Sequence, residues 1–403
     1  MVVVQINFSC TWGSTGKICD SVSKLLTERK VENYTFYTYG KNPENCDHYI
    51  RYGGSAYEKI QAIKSRIFGN YGFNSNLATR FLIKKLDKIK PDIVHVHNIH
   101  GHDCHFEKLF HYLRKKKIKV FYTFHDCWAF TGYCPHFAMA HCESWLNGCG
   151  ACEMRSEYSW FFDKSAKNFE RKKEALQGLD LTVITPSQWL CDLVKQSFLK
   201  NYPIKVIHNG IDLAVFSPQK SNFREKYKLQ NKKIVLGVAI MWGLAKGIDV
   251  FVRLAETLPQ DYQIVLIGTD EKVDQMLPSN IISIHRTENQ QELAEIYSAA
   301  DVFVNPTREE NYPTVNMESL ACGTPVVTFR TGGSPEIIDE TCGSVVECDD
   351  VDALEKEIIR ICSEKPYAKE ACLERAKGFD KNERFKEYVA LYEGVDSCGT
   401  ERH

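Results

Sequence analysis

In the segment 305–328, the carboxylates of Glu310 and Glu318 lie on either side of a predicted helix start. A strand is predicted at the beginning of this segment, and a short helix follows it, with Thr314 as its cap and Gly323 at its end. Free amides at a helix N-terminus suit a diphosphate, and flanking carboxylates suit sugar hydroxyls. Glu318 falls among apolar helix positions, where an unpaired carboxylate would be costly, so a solvated surface pair is the weaker interpretation.

Two further segments follow predicted strands and could contact a ligand. In Ser9–Lys17, Gly13 and Gly16 let backbone amides approach an anion, and a helix is predicted from Ile18. The spacing matches neither a dinucleotide fingerprint nor a P-loop, so a simple tight turn is an equal alternative. His125 ends another predicted strand, where it is either a site residue or a structural histidine.

An insertion at about 127–152 looks poor in core-forming residues, and after Cys127 at its start it contains four more cysteines. They are Cys134, Cys142, Cys149 and Cys152. Their spacing suits a tetrahedral structural zinc, which would have no open position for catalysis. A set of unligated thiols is the alternative, and the sequence leaves both open.

Histidines also cluster after a predicted strand, beginning with His95 and His97. A histidine–x–histidine pair is a common metal motif, so a metal-dependent hydrolase is one interpretation. The carboxylate that would complete such a motif is absent, because Ile99 stands in its place. This interpretation would also leave Glu310 without a role.

Two basic runs, 84–90 and 114–119, precede predicted strands. Positive charge near a helix C-terminus complements the helix dipole, which is the simpler explanation. The functional alternative is contact with an anionic membrane.

The bulk composition narrows the class of protein. The chain has 403 residues, 26% of them charged, and a formal net charge of -1, which argues against a nucleic-acid-binding protein. No stretch is long and apolar enough for a membrane span, and 1–8 is interpreted as a buried strand rather than a signal peptide. A cytoplasmic protein is therefore expected, with its 16 cysteines reduced.

Short apolar runs alternate with longer amphipathic ones along the chain. Buried parallel strands are predicted at Val2–Phe8, Tyr34–Tyr39, Asp92–His97, Lys119–His125, Leu181–Pro186, Lys205–Asn209, Ile234–Ile240, Gln263–Gly268, Ile281–His285, Asp301–Asn305, Pro325–Phe329 and Ser344–Glu347. This alternation predicts an α/β fold with two Rossmann-like, doubly wound domains that face each other across a cleft.

The predicted domains are 1–203, with the cysteine-rich insertion, and 204–380, which contains Glu310 and Glu318. The polar stretch Ser217–Ser221 is interpreted as part of a hinge or linker. The helical end, 381–403, is expected to pack back on the first domain.

The motifs together resemble a known family. Glu310 and Glu318, followed by A-C-G-T-P-V-V, are similar to the retaining glycosyltransferases of family 4. Supporting motifs are G-S-T-G-K in the first loop, P-D-I-V-H-V-H-N, H-D-C-W, T-P-S-Q-W-L, H-N-G-I-D, K-G at Lys246 and G-G-S-P-E. The resemblance implies the GT-B fold and the branch that builds bacterial capsular, exopolysaccharide or O-antigen repeats.

The resemblance also implies roles for individual residues. Glu310 would bond the donor sugar, Glu318 the ribose, and Lys246 the diphosphate. The backbone near Gly13 and Gly16 would cradle the donor, and the amides of Thr314 and Val315 would meet the phosphates. His125 would lie beside the reacting carbon.

One position departs from the pattern: Met241 stands where many relatives carry an arginine. No metal is expected in catalysis, and the donor is expected to be a nucleotide sugar. The acceptor is expected to be a saccharide on a lipid, with the enzyme peripheral to the inner face of the membrane. A nucleotide-sugar epimerase of the same fold is the main alternative.

Overall fold

The computed structural model describes residues 1–42 and 46–394, in two compact units. The first unit is 1–208 together with the chain from Arg384, and the second is Asn209–Glu383. Each unit is built around its own parallel sheet. Two parallel-sheet α/β units of this kind are what the alternating pattern predicted.

The first sheet has seven parallel strands in the order β3-β2-β1-β4-β5-β6-β7. Its strands are β1 (Val2–Ile6), β2 (Glu32–Tyr37), β3 (Tyr49–Arg51), β4 (Ile93–Val96), β5 (Lys119–Thr123), β6 (Leu181–Thr185) and β7 (Ile204–Val206). The central strands β1, β4, β5 and β6 are buried along nearly their whole length, because helices cover both faces of a parallel sheet. The edge strand β3 is the one that the sequence pattern missed, since it is three residues long and ends in an exposed arginine.

Seven helices belong to the first unit before its last strand. They are α1 (Gly13–Glu28), α2 (Ser55–Phe68), α3 (Asn76–Ile89), α4 (Phe106–Lys116), α5 (Arg155–Tyr158), α6 (Ser165–Leu176) and α7 (Gln188–Gln196). Short 3₁₀ turns occur at Trp128–Phe130 and Ser144–Leu146. The start of α1 corrects the sequence prediction, because the helix begins at Gly13 rather than at Ile18.

The second sheet has six parallel strands in the order β10-β9-β8-β11-β12-β13. Its strands are β8 (Lys233–Val238), β9 (Tyr262–Ile267), β10 (Ile281–Ile284), β11 (Val302–Asn305), β12 (Val326–Phe329) and β13 (Gly343–Val346). Its helices are α8 (Phe223–Lys226), α9 (Ile248–Thr257), α10 (Glu271–Asp274), α11 (Gln290–Ala299), α12 (Thr314–Ala321), α13 (Ser334–Ile337), α14 (Val351–Glu364) and α15 (Lys369–Lys377).

The division between the units falls after β7, which pairs with β6 and so belongs to the first sheet. The sequence analysis placed the boundary at 203, before this strand. The predicted linker Ser217–Ser221 lies inside the second unit, where the backbone N–H of Gln219 donates to Ser298 Oγ on α11 at 3.0 Å. The division between the units thus lies within the region 204–233 that was predicted to hold a hinge or linker, and the stretch Ser217–Ser221 belongs to the second unit.

The described chain ends in two helices, α16 (Lys381–Arg384) and α17 (Lys386–Tyr392). Tyr388 and Val389 of α17 are buried against Val22 and Leu26 of α1, in the core of the first unit. Arg29 at the end of α1 forms a 3.1 Å ion pair with Glu393. Helix α17 therefore completes one layer of the first unit.

Each sheet has one point at which the strand order reverses. In the first sheet it lies between β1 and β4, and in the second between β8 and β11. Ligands of doubly wound folds bind at the carboxyl ends of the strands beside such a point. In the second unit, the loops that leave the sheet there are 239–247 and 306–313.

Across the part of the chain that the structure describes, no helix combines the length and apolarity that a bilayer-spanning segment requires.

Candidate active site

An ion pair joins the two loops at the switch point of the second sheet. Lys246 Nζ lies 2.6 Å from Glu310 Oε2, and both side chains are partly exposed. The other carboxylate oxygen of Glu310 accepts the backbone N–H of Asn311 at 3.1 Å. A cation and a carboxylate, 64 positions apart in the sequence, thus lie together where the fold places ligands.

Arg308 holds these two loops in register. Its backbone N–H donates to the carbonyl of Ala245 at 2.9 Å, and Thr307 Oγ1 donates to the same carbonyl at 3.1 Å. The guanidinium forms ion pairs with Asp249 at 2.7 Å and Asp349 at 2.6 Å. The sequence analysis missed this residue, because its partners lie on separate elements that only the fold brings together.

Two glycines allow the backbone to pack closely behind the ion pair. Gly247, with a φ of +71°, lies against the carbonyl of Pro306, and Gly332, with a φ of +56°, lies against the carbonyl of Glu310. A Cβ at either position would overlap that carbonyl oxygen. Both glycines come from motifs noted in the sequence, K-G and G-G-S-P-E, and here they fix the position of Lys246 and Glu310.

Helix α12 begins beside Glu310 and exposes one narrow face. Thr314 is its first residue and Pro313 precedes it without a side-chain cap, so the predicted capping role of Thr314 was wrong. Thr314, Val315 and Glu318 are partly exposed, whereas the other five residues of the helix are buried. The first-turn amides, the Thr314 hydroxyl and the Glu318 carboxylate are therefore the accessible polar groups of this helix.

Glu318 is oriented by a buried tyrosine. Tyr297 of α11 is fully buried, and its hydroxyl donates to Glu318 Oε2 at 3.4 Å. Burial is the main cause that raises the pKa of Tyr297 well above its ordinary value, and the charge of Glu318 raises it further. The tyrosine hydroxyl therefore stays protonated and acts as a hydrogen-bond donor. One edge of the carboxylate is thus fixed to the protein.

In the first unit, the loop after β1 is folded tightly onto the start of α1. Asn7 Nδ2 donates to the carbonyl of Ser9 at 2.8 Å, and Asn7 Oδ1 accepts the backbone N–H of Asn98 at 3.1 Å. Gly16 is buried where a Cβ would lie 2.9 Å from Ser9 Oγ, whereas nothing lies within 4 Å of a Cβ at Gly13. Gly16 therefore serves packing, and Gly13 leaves open space at the helix start.

His125 lies two residues after the end of β5 and contacts a second histidine. Its Nε2 lies 3.2 Å from Nδ1 of His97, which follows β4, the neighbouring strand. Burial lowers the pKa of His125 to about 4, although the charge of Asp126 opposes the shift. His125 is therefore a neutral imidazole at neutral pH, able to donate or accept one hydrogen bond at each nitrogen.

His95, the first histidine of the cluster, forms hydrogen bonds within the protein core. His95 Nε2 lies 2.8 Å from Thr123 Oγ1, and its Nδ1 contacts the hydroxyl of Tyr392 on α17. Both ring nitrogens thus have hydrogen-bond partners inside the core. These contacts explain His95 without a metal, so the geometry gives no support to the hydrolase interpretation.

We expect acid to destabilise the protein through His125. Its pKa is near 6.5 when unfolded and about 4 when folded, so between these values the unfolded state binds more protons. The free energy of unfolding should therefore fall as the pH drops through this window, by up to ~1.4 kcal/mol per pH unit for one such group. Thermal unfolding of the wild type and His125→Asn across this window measures it. An identical pH dependence in the two proteins would contradict the expectation.

The cysteine-rich insertion packs into the first unit through its aromatic residues. Trp128, Phe130, Phe137 and Trp145 are all buried in the main core. The prediction that the insertion is poor in core-forming residues was wrong, because these aromatics fill that role. The fully buried Lys172 of α6 supports the same region, donating to the carbonyls of Trp128 at 2.5 Å and Thr131 at 3.0 Å.

The four insertion cysteines lie near enough to influence one another. Burial raises the pKa of Cys134 to about 12, and the neighbouring Cys149 and Cys152 contribute. The backbone N–H of Gly132 donates to Cys149 Sγ at 3.1 Å. Within residues 1–42 and 46–394, no three histidine, cysteine or acidic side chains form a metal-binding group. Zinc at these cysteines stays a prediction.

The zinc prediction can be tested directly. If Cys134, Cys142, Cys149 and Cys152 bind zinc, protein purified without chelator should contain about one zinc per chain. Cys149→Ser should then lower both the zinc content and the melting temperature, whereas exchange of the exposed Cys348 should change neither. Elemental analysis that finds no metal in the wild type would end the prediction.

Family models match both halves of the chain. The model described as "Glycosyltransferase Family 4" matches residues 19–215, and the model described as "Glycosyl transferases group 1" matches residues 232–364. The second match includes Lys246, Glu310 and α12. Together the two models leave only the chain ends and a short stretch between them unmatched.

Relatives and solved structures agree with the models. WcaC of Escherichia coli (strain K12), whose name assigns it to colanic acid biosynthesis as a glycosyl transferase, is 21% identical over 87% of this chain and 88% of its own length. A D-inositol 3-phosphate glycosyltransferase of Mycobacterium sp. (strain KMS) is 26% identical over 50% of this chain and 49% of its own.

Among solved structures, sucrose-phosphate synthase of Thermosynechococcus elongatus matches with a TM-score of 0.72 at 19% identity, over 98% of both chains. Anabaena Alr3699/HepE in complex with UDP and glucose matches with a TM-score of 0.71 at 13% identity, over 98% of this chain and all of that one. Likeness at this level of identity concerns the fold, which is GT-B.

Proposed function

This chain belongs to the family 4, group 1 glycosyltransferases, and from that premise we propose that it transfers a sugar from a nucleoside-diphosphate donor to a saccharide acceptor. The observation that carries the proposal is the ion pair of Lys246 and Glu310 beside the accessible start of α12. A cation and unpaired amides meet there at the switch point of the sheet. This combination favours an anionic leaving group.

The diphosphate would bind between Lys246 and the first turn of α12. The amides of Thr314 and Val315 and the partial positive charge of the helix start would face the phosphates. Lys246 would neutralise the charge that grows on the leaving group as the glycosidic bond breaks. Met241 is 79% exposed and uncharged, and Arg308 is already paired with two carboxylates. Neutralisation of the diphosphate would therefore depend on Lys246.

The two glutamates would divide the recognition of the donor. Glu318 lies one turn into the helix, and its fixed carboxylate would accept bonds from the ribose hydroxyls. Glu310 would accept a hydrogen bond from a hydroxyl of the donor sugar. This bond would partly replace the hydrogen bond that Glu310 accepts from Lys246. Because Lys246 would contact both the diphosphate and Glu310, donor binding should separate or bridge this ion pair.

The first unit would supply the acceptor side and His125. We assign to His125, as a neutral imidazole, a place beside the reacting carbon, and to the loop at Gly13 and Gly16 a place near the donor. The anomeric configuration would be retained, with the acceptor attacking from the face that the diphosphate leaves. Lys246 and the α12 amides supply the charge stabilisation that this chemistry needs, so the proposed catalysis uses no metal.

The proposed pathway is the synthesis of a surface polysaccharide. Similarity to WcaC over most of both chains supports this class, and the UDP and glucose bound in Alr3699/HepE support a nucleotide-sugar donor. The acceptor would be a growing saccharide on a lipid, with the enzyme cytoplasmic and peripheral at the inner face of the membrane.

A donor screen followed by a turnover assay tests the proposal. Nucleotide sugars are first ranked by the rise in melting temperature that each produces. The best donor is then incubated with and without a lipid-linked oligosaccharide, and both nucleoside diphosphate and product are measured. Acceptor-dependent release supports transfer, whereas conversion of the donor to its epimer without acceptor would show the epimerase instead.

A further inference from the structure

Three consecutive aromatic side chains protrude from the surface of the first unit. Trp160, Phe161 and Phe162, between α5 and α6, are 50%, 63% and 52% exposed. Single exposed apolar residues are common in soluble proteins and need no explanation. A contiguous run of three aromatics in water is unfavourable, which marks a contact site.

The backbone of this loop is held in place. The N–H of Trp160 donates to the carbonyl of Arg66 at 2.7 Å, and Arg155 Nη1 donates to the carbonyl of Phe161 at 3.2 Å. The hydroxyl of the buried Tyr133 donates to the carbonyl of Phe162 at 3.4 Å. The aromatic side chains are therefore presented from a fixed backbone against the C-terminal end of α2.

The exposed face of α2 carries both apolar and cationic side chains. Ile60, Ile63 and Phe68 are exposed large apolar residues on this helix. Three cations, Lys59, Lys64 and Arg66, are exposed beside them, whereas the one acidic residue of the helix, Glu58, is buried. We call the combined surface the aromatic–basic face, defined by Lys59, Ile60, Ile63, Lys64, Arg66, Phe68, Trp160, Phe161 and Phe162.

The basic runs noted in the sequence are less suited to a membrane. Arg114 donates to the carbonyls of Glu174 and Gln177, so its guanidinium already has partners. Lys116 pairs with Asp87 at 2.7 Å, and Lys119 pairs with Asp180 at 3.2 Å. Lys116 and Lys119 are thus paired with carboxylates, and Arg114 is bound to backbone carbonyls.

We propose that the aromatic–basic face docks on an anionic bilayer surface. Tryptophan and phenylalanine insert at the level of the lipid headgroups, and lysine and arginine reach the anionic phosphates from the same surface. Charge complementarity selects a bilayer over a neutral protein partner, because the exposed ionic groups of α2 are all cations. The inference deepens the proposed function, since a lipid-linked acceptor would lie at such a surface.

Sedimentation with vesicles tests this docking, without nucleotide sugar. The wild type should bind vesicles of equimolar phosphatidylcholine and phosphatidylglycerol and bind phosphatidylcholine alone far more weakly. The double exchange Trp160→Ala and Phe161→Ala should weaken binding by roughly tenfold or more, and Lys64→Gln by about fivefold. Met276→Ala, an exposed apolar residue of the second unit, should bind as the wild type does.

The outcomes separate the docking from the chemistry. The Glu310→Ala protein should bind vesicles like the wild type even if it no longer transfers sugar. If the wild type shows no transferase activity, the expected vesicle binding is the same, because docking does not depend on the reaction. Melting temperatures of the variants establish that each is folded. Equal affinity of the wild type and the double variant for anionic vesicles would overturn the inference. A dimer in solution that the double variant abolishes, without vesicle binding, would assign the face to a second copy instead.

Discussion

Replacement of Glu310 by alanine is expected to lower kcat by roughly a hundredfold or more in a folded protein. In the proposed site its carboxylate bonds the donor sugar most strongly in the transition state, where positive charge develops on the ring. Initial rates of transfer, measured over a range of donor concentrations, give kcat and KM separately. The effect should fall on kcat, because the nucleotide is bound by other groups.

Two variants serve as comparisons for Glu310→Ala. Glu318→Ala should chiefly weaken donor binding, because the ribose does not change during the reaction. Glu340→Ala, an exposed carboxylate after α13, should leave both constants as they are. Unchanged kcat in Glu310→Ala, with donor still saturable, would remove this residue from the chemistry.

Loss of Lys246 is expected to be at least as damaging. Lys246→Ala should lower kcat/KM by on the order of a thousandfold, with a higher KM and a lower kcat. The bound donor already carries a negative diphosphate, so binding suffers, and the leaving-group charge grows as the bond breaks, so turnover suffers further. Lys246→Arg keeps the charge and should recover part of the activity.

The contact between Lys246 and Glu310 leads to a prediction for the variant that lacks both side chains. Lys246 and Glu310 are in contact at 2.6 Å, so their effects should not add. Removal of either residue frees the other from the pair, and the double variant should lose less than the product of the two single losses. Strict additivity, measured as kcat/KM of all four proteins, would indicate that the pair has no functional coupling.

The strand pattern of the sequence predicted nearly the whole of both sheets. Parallel strands are buried on both faces, so runs such as 2–8 and 301–305 are rich in valine, isoleucine and phenylalanine and easy to find. The short edge strand β3 lacks such a run, and the helix start at Gly13 was misplaced because the loop residues before Ile18 carry no helical periodicity.

The site was predictable where its residues are neighbours in the sequence. Glu310, Thr314 and Glu318 belong to one segment, and the strand–loop–helix signals around them sufficed. The contact of Lys246 with Glu310 required the strand order, because β8 and β11 are neighbours only in the folded sheet.

Other contacts had no local signal in the sequence. Arg308 stands in the predicted loop, but its partners, Asp249 and Asp349, come from α9 and the turn before α14. His97 was noted only as a candidate metal ligand, and its contact with His125 spans two neighbouring strands. Such pairs follow from sheet register, which a single sequence does not specify.

The central claim is that the start of α12 and Lys246 form the binding site for a nucleoside diphosphate. Calorimetric titration of the protein with UDP, and then with GDP, tests it most directly. We expect at least one of them to bind the wild type and Glu340→Ala equally, and to bind Lys246→Ala and Glu318→Ala about tenfold or more weakly. Full wild-type affinity in both Lys246→Ala and Glu318→Ala would contradict it.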